Sequence, residues 1–570
     1  MAPLDGRGPR SLWSHGLLAA GLLVFLATQY AGVLTVPFIN DDYIFLDKTR
    51  AIGFLDVWAM RDLTFHWYRP WSRELHYLWL QRAFGARELP FHLASLALWL
   101  ALLVSFWVLA RRVAGAMAAA TAACGMAALA AWGVPLLWVA GVQELWMLLL
   151  GVLTVHAWLA GRRAIATVAL AAALLSKETG AVLAALALAA DVLVASRRPA
   201  EAVRRAWPLL VVTALWALVH PVLGGRLWHP LSAPVEPDAV PRGPLVLWPA
   251  LRVALNADTR LIPEHGWAPA LVSGAIGALV LAGTAVVAAR TAGGPPRRAS
   301  PRVVGFGAAW MLVGWAPLLM PSLGWHAYYA LLGCFGAWLA LGTLLARRPA
   351  LAIAVVVAVA LLRPARADTP SLDWGSEWYQ RRSGEFIRVM RARLRTMHPQ
   401  LPAHARLYFV RVPSNVGFLA GDAPALRVWY GEPTITGGYY TAYRRRRPDE
   451  PAGSDLFFRF DSTAAWIEVM LGPEDVVRAE AANRRWERDH VTLATTLARA
   501  GDWARAAGEY AKLADARPAL LDYPHDAAVC FESAGDSLAA ASWWARAAAF
   551  PDADEGSKHA AARFAHLRVP

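Results

Sequence analysis

Two adjacent aspartates, Asp41 and Asp42, stand where the first apolar run of the chain ends, in the stretch PFINDDYIFLDKTR (37–50). One interpretation is helix capping, because Asn or Asp at the N-cap and acids in the first turn each stabilise a helix by ~1 kcal/mol. The other is a catalytic base, since a carboxylate beside a membrane span carries a desolvation cost unless it faces water or a polar cavity. The two are compatible, because Asn40 could cap while an aspartate catalyses.

Basic side chains near this stretch, or deep between apolar runs, could bind a phosphate. Lys177 lies between two apolar runs, in LLSKETGAVL (174–183). Charge at such a depth is usually functional, so we expect Lys177 to bind an anion. The alternative is an ion pair with its neighbour Glu178 that closes a turn. Further candidates for contact with a phosphate or substrate are Arg69, Arg73, Arg226 and Glu178.

Two histidines complete the candidate site. His229 follows the seventh apolar run, and His326 lies in PSLGWHAYY (321–329). Both stand among aromatic residues, which also favour the membrane–water interface without any further function. We expect no metal site, because two adjacent carboxylates supply too few oxygen ligands for a divalent cation. The three cysteines are too widely separated to form a disulfide or metal framework.

The composition indicates a polytopic membrane protein. Of 570 residues, 57% are hydrophobic and 17% are charged, against roughly 25% charged in soluble domains. Several apolar runs approach the ~20 residues that cross a bilayer. The net charge of +14 comes largely from arginine pairs that flank these runs, such as Arg111 and Arg112. That placement is typical of topology determinants, and it argues against nucleic-acid binding.

The apolar runs predict about eleven spans, near 15–36, 90–110, 114–132, 144–161, 164–176, 180–196, 206–223, 267–289, 303–320, 325–345 and 350–364. The arginine bias places the N-terminus in the cytoplasm and the C-terminal region outside. The outward loops are then 37–89, which holds the aspartate pair, 224–266 and 321–329. We expect a multi-pass protein of a bacterial inner membrane whose first span is not cleaved.

The sequence divides into three regions: a transmembrane region (1–366), a soluble mixed α/β region (367–480) and a helical region (481–570). In the second, ARLYFVRVP (405–413) and SDLFFRFDST (454–463) predict strands, and residues 376–397 predict a helix. In the third, Gly501-Asp502 and Gly535-Asp536 mark turns 34 residues apart, the tetratricopeptide period. Two such units complete the outer domain or bind a protein partner.

The order of these features resembles a known family. A short first span leads to an outward loop that opens with an acidic pair. Arg69-Pro70 then begins an amphipathic helix that ends in FG (84–85), and the span PFHLASLALWLALLVSFWVLARR follows. With WGVPLLWVAGVQELW (132–146) and LLSKETGAVL, this is similar to the C-type glycosyltransferase fold, closest to protein O-mannosyltransferases and their tetratricopeptide-bearing transmembrane relatives. The resemblance covers residues 10–200 well and extends more loosely to 364.

The resemblance implies transfer of a sugar, of hexosyl or mannosyl type, from a polyprenyl-phosphate carrier on the outer face of the membrane. A carboxylate of the first loop, Asp41 or Asp42, would be the base. Inverting transfer needs a base for the acceptor hydroxyl and positive charge at the departing phosphate, and no general acid or cofactor. This sequence departs from the family in having WGVP with Gln143 and Glu144, where relatives often have His-Pro and an acidic residue.

Asp41 is our first choice for the base, with Asp42 supporting. The acceptor is a hydroxyl of a protein, a lipid or a glycan. Two other functions stay open at this point. A transporter or flippase of lipid-linked sugars would show broken helices in two related halves, and the sequence has one break, at Lys177. A membrane-anchored interaction protein with tetratricopeptide repeats would need neither eleven spans nor an acidic pair.

Overall fold

The computed structural model describes residues 9–567, except 61–62, 65–66, 221–242, 258–259, 294–299, 320–324, 372, 411–422, 440–442, 444–445, 447–448, 462–464, 469–472, 518–519 and 551–552. The chain forms two compact units. The first is Met1–Pro230 with Val235–Val389, and the second is Leu231–Pro234 with Met390–Pro570. The boundary after Val389 lies later than residue 366, where the composition changes.

The first unit is helical throughout its described residues. In chain order its α-helices are α1 (Pro9–Gln29), α2 (Asp41–Ala51), α3 (His76–Phe84), α4 (Glu88–Ala114), α5 (Ala116–Ala127), α6 (Gly133–Leu137), α7 (Val142–Leu159), α8 (Arg163–Leu174), α9 (Leu183–Ala189), α10 (Pro199–Arg205), α11 (Trp207–Val219), α12 (Leu247–Ala254), α13 (Trp267–Ala292), α14 (Pro301–Trp315), α15 (Leu331–Leu345) and α16 (Pro349–Ala367). The next helix, α17 (Glu377–Met397), contains the boundary between the units.

Among the described residues, six helical segments are long and apolar enough to cross a membrane. They are Glu88–Ala114, Val139–Leu159, Trp267–Ala292, Pro301–Leu319, Ala327–Leu345 and Pro349–Ala367. The number rises to eight if each of two bent pairs counts as one span. These pairs are Ala116–Ala127 with Ala130–Leu137, bent by 56°, and Pro199–Arg205 with Trp207–Val219, bent by 60°. Three shorter apolar helices are Trp13–Gln29, Arg163–Leu174 and Pro244–Ala254.

The described helices thus supply six to eight long spans, and the count of about eleven stays a prediction. Some of the predicted runs fold into short helices. Helix α8 has 12 residues and reaches only about 18 Å at 1.5 Å per residue, short of the ~30 Å hydrocarbon core. The run 180–196 is likewise divided between α9 and a π-helical turn, Ala190–Val194. The break between these two runs lies at Lys177, where the sequence indicated it.

Close helix packing in this unit depends on glycine. A Cβ atom on Gly336 of α15 would lie 2.3 Å from the backbone nitrogen of Met311 in α14. A Cβ on Gly314 would lie 2.6 Å from the nitrogen of Gly333. The two helices thus approach at the distance that small residues permit between membrane helices. Large aromatic side chains, including Trp99, fill the surrounding core.

The second unit begins with a four-stranded sheet in the order β2-β1-β3-β4, formed by β1 (Arg406–Val410), β2 (Thr436–Tyr439), β3 (Asp455–Asp461) and β4 (Ala465–Glu468). Strand β1 pairs in parallel with β2 and β3, with Leu407 opposite Gly437 and Leu456, and β4 runs antiparallel to β3. Strands β1 and β3 lie within the two stretches predicted to be strands.

Helices make up the rest of the second unit: α18 (Pro424–Tyr430), α19 (Pro473–Arg499), α20 (Trp503–Ala516), α21 (Asp522–Ser533), α22 (Ser537–Ala548) and α23 (Glu555–Arg563). The two predicted turns have the same geometry. Gly501 and Gly535 have φ of +78° and +80°, which glycine adopts without steric cost. Each following aspartate caps the next helix: Asp502 accepts from the backbone N–H of Arg505, and Asp536 accepts from that of Ala539.

Candidate functional site

The two aspartates have different environments. Asp42 is fully buried, and its carboxylate accepts three hydrogen bonds. The donors are the Ile39 N–H at 2.9 Å, the Tyr77 hydroxyl at 2.7 Å and the Ala140 N–H at 2.7 Å. Burial raises the pKa of Asp42 to about 7, against the lowering effect of these bonds. Asp42 therefore connects the first loop, α3 and the 132–146 segment, and its oxygens are already occupied.

Asp41 is partly exposed, in the first turn of α2. No hydrogen-bond or ion-pair partner of its carboxylate lies among the described residues. Burial raises the pKa of Asp41 to about 6, while the guanidinium groups of Arg73 and Arg69 lower it. A carboxylate that is accessible, unoccupied and raised toward neutral pH has the properties that proton abstraction requires.

Both aspartates lie in the first turn of α2, as the capping interpretation expects, but Asn40 does not cap the helix through its side chain. Asn40 is at the N-cap position of α2, but its side chain makes no capping hydrogen bond. It donates instead to Gln380 in α17, at 3.4 Å. The backbone of Asn40 has φ 49° and ψ −123°, in a region that favours glycine, and such strain is concentrated at functional sites. The strained residue immediately precedes the free carboxylate.

Arg69 is held beside the aspartates by a bidentate ion pair with Glu178. Its Nη1 also donates to Gln143 Oε1 at 2.9 Å. Although burial opposes ionisation, the charge of Arg69 keeps the pKa of Glu178 at about 2. The side chain of His220 is buried beside the same carboxylate, with its Nε2 3.6 Å from Glu178 Oε1. Glu178 is therefore an orienting carboxylate for Arg69.

One interpretation of the sequence was an ion pair between Lys177 and its neighbour Glu178. The structure shows a different partner. The ammonium group of Lys177 is paired with Glu144 at the start of α7, and both side chains are buried. The Nζ atom also lies 4.4 Å from the ring centroid of Tyr329 and 5.2 Å from that of Tyr328. An ammonium group has three N–H donors, so Lys177 can bind an anion while it stays paired with Glu144.

Arg73 has a structural role. Its side chain is buried and donates to Glu74 and to the backbone carbonyl oxygens of Thr64, at 3.1 Å, and Trp67, at 2.8 Å. Its donors thus hold the first loop in shape, and its charge lowers the pKa of Asp41; the predicted phosphate contact of Arg73 stays a prediction. The π-helical turn Pro70–Leu75 is docked in turn by Ser72, whose hydroxyl donates to the Ser176 carbonyl at 2.7 Å.

His326 belongs to an aromatic cluster on the far side of Lys177. Its Nδ1 bonds Asp373 Oδ1 at 2.7 Å, and its ring centroid lies 3.8 Å from that of Trp374. It also stacks on Tyr328, one of the two tyrosines that face Lys177. A flat aromatic surface beside a cation suits a sugar phosphate. The remaining predicted residues, Arg226 and His229, lie outside the described residues.

The structure thus places Asp41 near two cations, Arg73 and Arg69. These two and Lys177 each have a glutamate partner: Glu178 for Arg69, Glu74 for Arg73 and Glu144 for Lys177. The ion pairs fix the positions of the cations, and the group of paired side chains carries little net charge. Sequence reasoning missed the roles of Gln143, Glu144 and Tyr77. The sequence did contain a signal for Glu144, because an acidic residue at the start of one apolar run can form an ion pair with a lysine inside another.

Comparisons with known proteins yield two solved structures. A scan against protein-family models and a search of curated proteins give no match. One structure is ArnT from Cupriavidus metallidurans in the apo state, with a TM-score of 0.39 and 16% identity, covering 74% of this chain and 85% of that one. The other is the same protein bound to undecaprenyl phosphate, with a TM-score of 0.39 and 15% identity, covering 79% and 94%. A TM-score this low assigns neither the fold nor the activity of this chain.

Proposed function

We propose that this protein is a membrane glycosyltransferase that moves a sugar from a polyprenyl-phosphate carrier to an acceptor hydroxyl, with Asp41 as the base. The observation that carries the proposal is the contrast within the aspartate pair. Asp42 is buried and fully hydrogen-bonded, whereas Asp41 is accessible, has no partner among the described residues and lies near Arg69. The candidate membrane spans supply the setting that a lipid-linked substrate needs.

In the proposed reaction, the carboxylate of Asp41 accepts the proton of the acceptor hydroxyl. The acceptor oxygen forms a bond to the anomeric carbon, on the face opposite the phosphate, so that the configuration inverts. The bond between the anomeric carbon and the phosphate oxygen breaks, and its electron pair stays on that oxygen. The products are a glycoside and polyprenyl phosphate. One carboxylate suffices, unlike the two that a glycosidase needs.

Positive charge near the leaving group supplies the second part of the catalysis. The carrier phosphodiester bears one negative charge, and the departing phosphate gains another as the bond breaks. A fixed cation therefore stabilises the transition state more than the ground state. Lys177 and Arg69 are oriented for this role by Glu144 and Glu178, and His326 with its aromatic neighbours would contact the sugar. We propose that divalent metal is not required.

The reaction is proposed to take place on the outer face of a bacterial inner membrane. The arginine bias of the loops supports this orientation, with the C-terminal unit outside and its helices available to a protein partner. A reporter fused after residue 366 is expected to read out as extracytoplasmic. A cytoplasmic readout would overturn the orientation.

The proposal is tested with purified protein in nanodiscs, a panel of synthetic polyprenyl-phosphate sugars and a membrane extract as the source of acceptor. Release of free polyprenyl phosphate is measured by mass spectrometry. We expect release from at least one donor, dependent on the extract and lost in Asp41→Asn. A protein that moves labelled donor across a vesicle bilayer, with no release of free carrier, would be a flippase instead.

A further inference from the structure

A polar cleft opens in the first unit, and its lining residues differ from those of the Asp41 site. It lies where α13 begins and α16 ends, against the first turns of α17, and its volume is about 270 Å³. None of the residues that form the site around Asp41 lines it. The volume equals that of roughly nine waters, which suits a small headgroup rather than a whole lipid.

One side of the cleft carries the guanidinium groups of Arg363 and Arg381, and a third lining arginine, Arg382, is paired with Glu385 at 3.3 Å. Arg363 is 3% exposed, at the end of the candidate span α16. Its hydrogen bonds are long: 3.2 Å to the Tyr30 hydroxyl, 3.3 Å to Gln29 and 3.3 Å to Glu377. Strong bonds from a guanidinium to a carboxylate measure ~2.7–2.9 Å. A second arginine, Arg381, bonds the same Glu377 carboxylate, so two cations share one anion.

The other side of the cleft carries acceptors. Glu264, His265 and Asp368 each offer one ligand atom, and these atoms lie within 4.8 Å of one another. Asp368 binds His265 through both the ring nitrogen, at 2.8 Å, and the backbone N–H, at 2.9 Å. His265 donates to Asp368 in both contacts, so the acceptors of this group are the carboxylate oxygens of Glu264 and Asp368, which suit a small N–H cation.

The position of the cleft at the ends of candidate membrane spans is where lipid headgroups are expected. The cleft is bounded by the ends of two candidate membrane spans, α13 and α16. Trp267, the first residue of α13, is 47% exposed, and exposed tryptophan is typical of the membrane–water interface. Buried arginine at such a position usually marks a functional site.

We propose that this cleft binds a phosphoethanolamine group, with the phosphate against Arg363 and Arg381 and the ammonium against Glu264 and Asp368. The charges on its two sides match a zwitterion better than a simple anion, because an anion would be repelled by the acidic side. A primary ammonium can donate three hydrogen bonds there, whereas a choline group has no N–H donor. The group could come from phosphatidylethanolamine in the bilayer or from the free compound.

The test measures binding to the full-length purified protein in detergent by calorimetry, which needs no glycosyl donor. Phosphoethanolamine is compared with phosphocholine and with inorganic phosphate. We expect phosphoethanolamine to bind at least about tenfold more tightly than either, since hydrogen bonds to charged groups are the strong ones. Equal affinity for inorganic phosphate, or no binding of phosphoethanolamine at millimolar concentration, would overturn the proposal.

Variants assign the two sides of the cleft. Glu264→Gln keeps an acceptor for the Trp378 indole N–H and should erase the preference over phosphocholine. Arg381→Gln, at a side chain that is 40% exposed, should weaken phosphoethanolamine and phosphate alike. Arg290→Ala, exposed in the last turn of α13, is the matched control and should change nothing. Unchanged binding in both test variants contradicts the assignment. A calorimetric signal of binding with CaCl2 or ZnCl2 alone, if Glu264→Gln removes it, contradicts the assignment as well.

The source of the group is distinguished in nanodiscs. Thermal unfolding is compared in discs of phosphatidylethanolamine and discs of phosphatidylcholine, with the wild type and Glu264→Gln. A higher midpoint in phosphatidylethanolamine that Glu264→Gln abolishes identifies the lipid as the source. Equal midpoints in the two discs, with retained binding of the soluble compound, identify free phosphoethanolamine. Either result supports the phosphoethanolamine site.

Discussion

Replacing each aspartate of the pair separately tests the division of roles at the candidate active site. In Asp41→Asn the new amide cannot take the acceptor proton. Removing a general base typically costs about 10²–10⁴-fold in rate, or about 2.7–5.4 kcal/mol in activation free energy. Because burial raises the pKa of Asp41, its charged form is disfavoured in the folded state, so removing the charge should leave the free energy of unfolding at neutral pH unchanged or raise it.

Asp42→Asn should behave differently. The carboxylate of Asp42 accepts from three donors, but an asparagine offers only one oxygen, with two lone pairs. Its NH2 group would face a donor, so at least one buried N–H or O–H loses its partner. That loss costs about 1–3 kcal/mol. We therefore expect a lower unfolding midpoint, and a loss of activity that follows the loss of folded protein.

Two measurements on the same preparations test the two roles. One is the release of free polyprenyl phosphate at saturating sugar donor, and the other is thermal unfolding followed by intrinsic fluorescence. Asp47→Asn is the matched control, since Asp47 lies on α2 and is paired with Arg50. It should retain both activity and stability. If folded Asp41→Asn keeps more than half of the wild-type rate, the base assignment fails. If Asp42→Asn is as stable as wild type, the structural role of Asp42 fails.

Three further predictions concern pH, a buried ion pair and a close glycine contact. The pKa of Asp41 is raised to about 6, so its basic form is lost below that pH. We therefore expect kcat/KM to fall about tenfold per pH unit below pH 6 and to level off above it. A flat pH profile of kcat/KM from pH 4.5 to 8 would contradict this. Glu144→Gln leaves the buried ammonium of Lys177 without its counter-ion and should lower the free energy of unfolding by about 3–5 kcal/mol. Adding Lys177→Met should restore stability but not activity, as read from thermal unfolding and carrier release together. A Cβ at Gly375 would lie 2.3 Å from Nδ1 of His326. Gly375→Ala should therefore displace that ring and lower the free energy of unfolding by about 1–3 kcal/mol, as measured by thermal unfolding. An unchanged unfolding midpoint would show that the ring is not held there.

Local patterns in the sequence predicted what depends on neighbours along the chain. The turns at Gly501 and Gly535 follow from a residue that tolerates positive φ and an aspartate that caps the next helix. The strand and helix stretches of the second unit follow from β-forming runs and from amphipathic periodicity. The described helices supply six to eight long spans, so the count of about eleven stays a prediction, and the break at Lys177 that the sequence indicated is the place where 164–176 ends as the short helix α8.

The sequence by itself determined which residue types stand at the candidate site: an acidic pair after the first apolar run, and a lysine deep between two others. Only the tertiary structure decided how they divide the work. Asp42 is bound by Tyr77 and Ala140, which lie 35 and 98 positions away, and Lys177 by Glu144, 33 positions away. Two adjacent aspartates are chemically identical in the sequence. Burial and distant hydrogen-bond donors occupy the carboxylate of Asp42 and leave that of Asp41 without a partner among the described residues, which is the difference on which the proposed base rests.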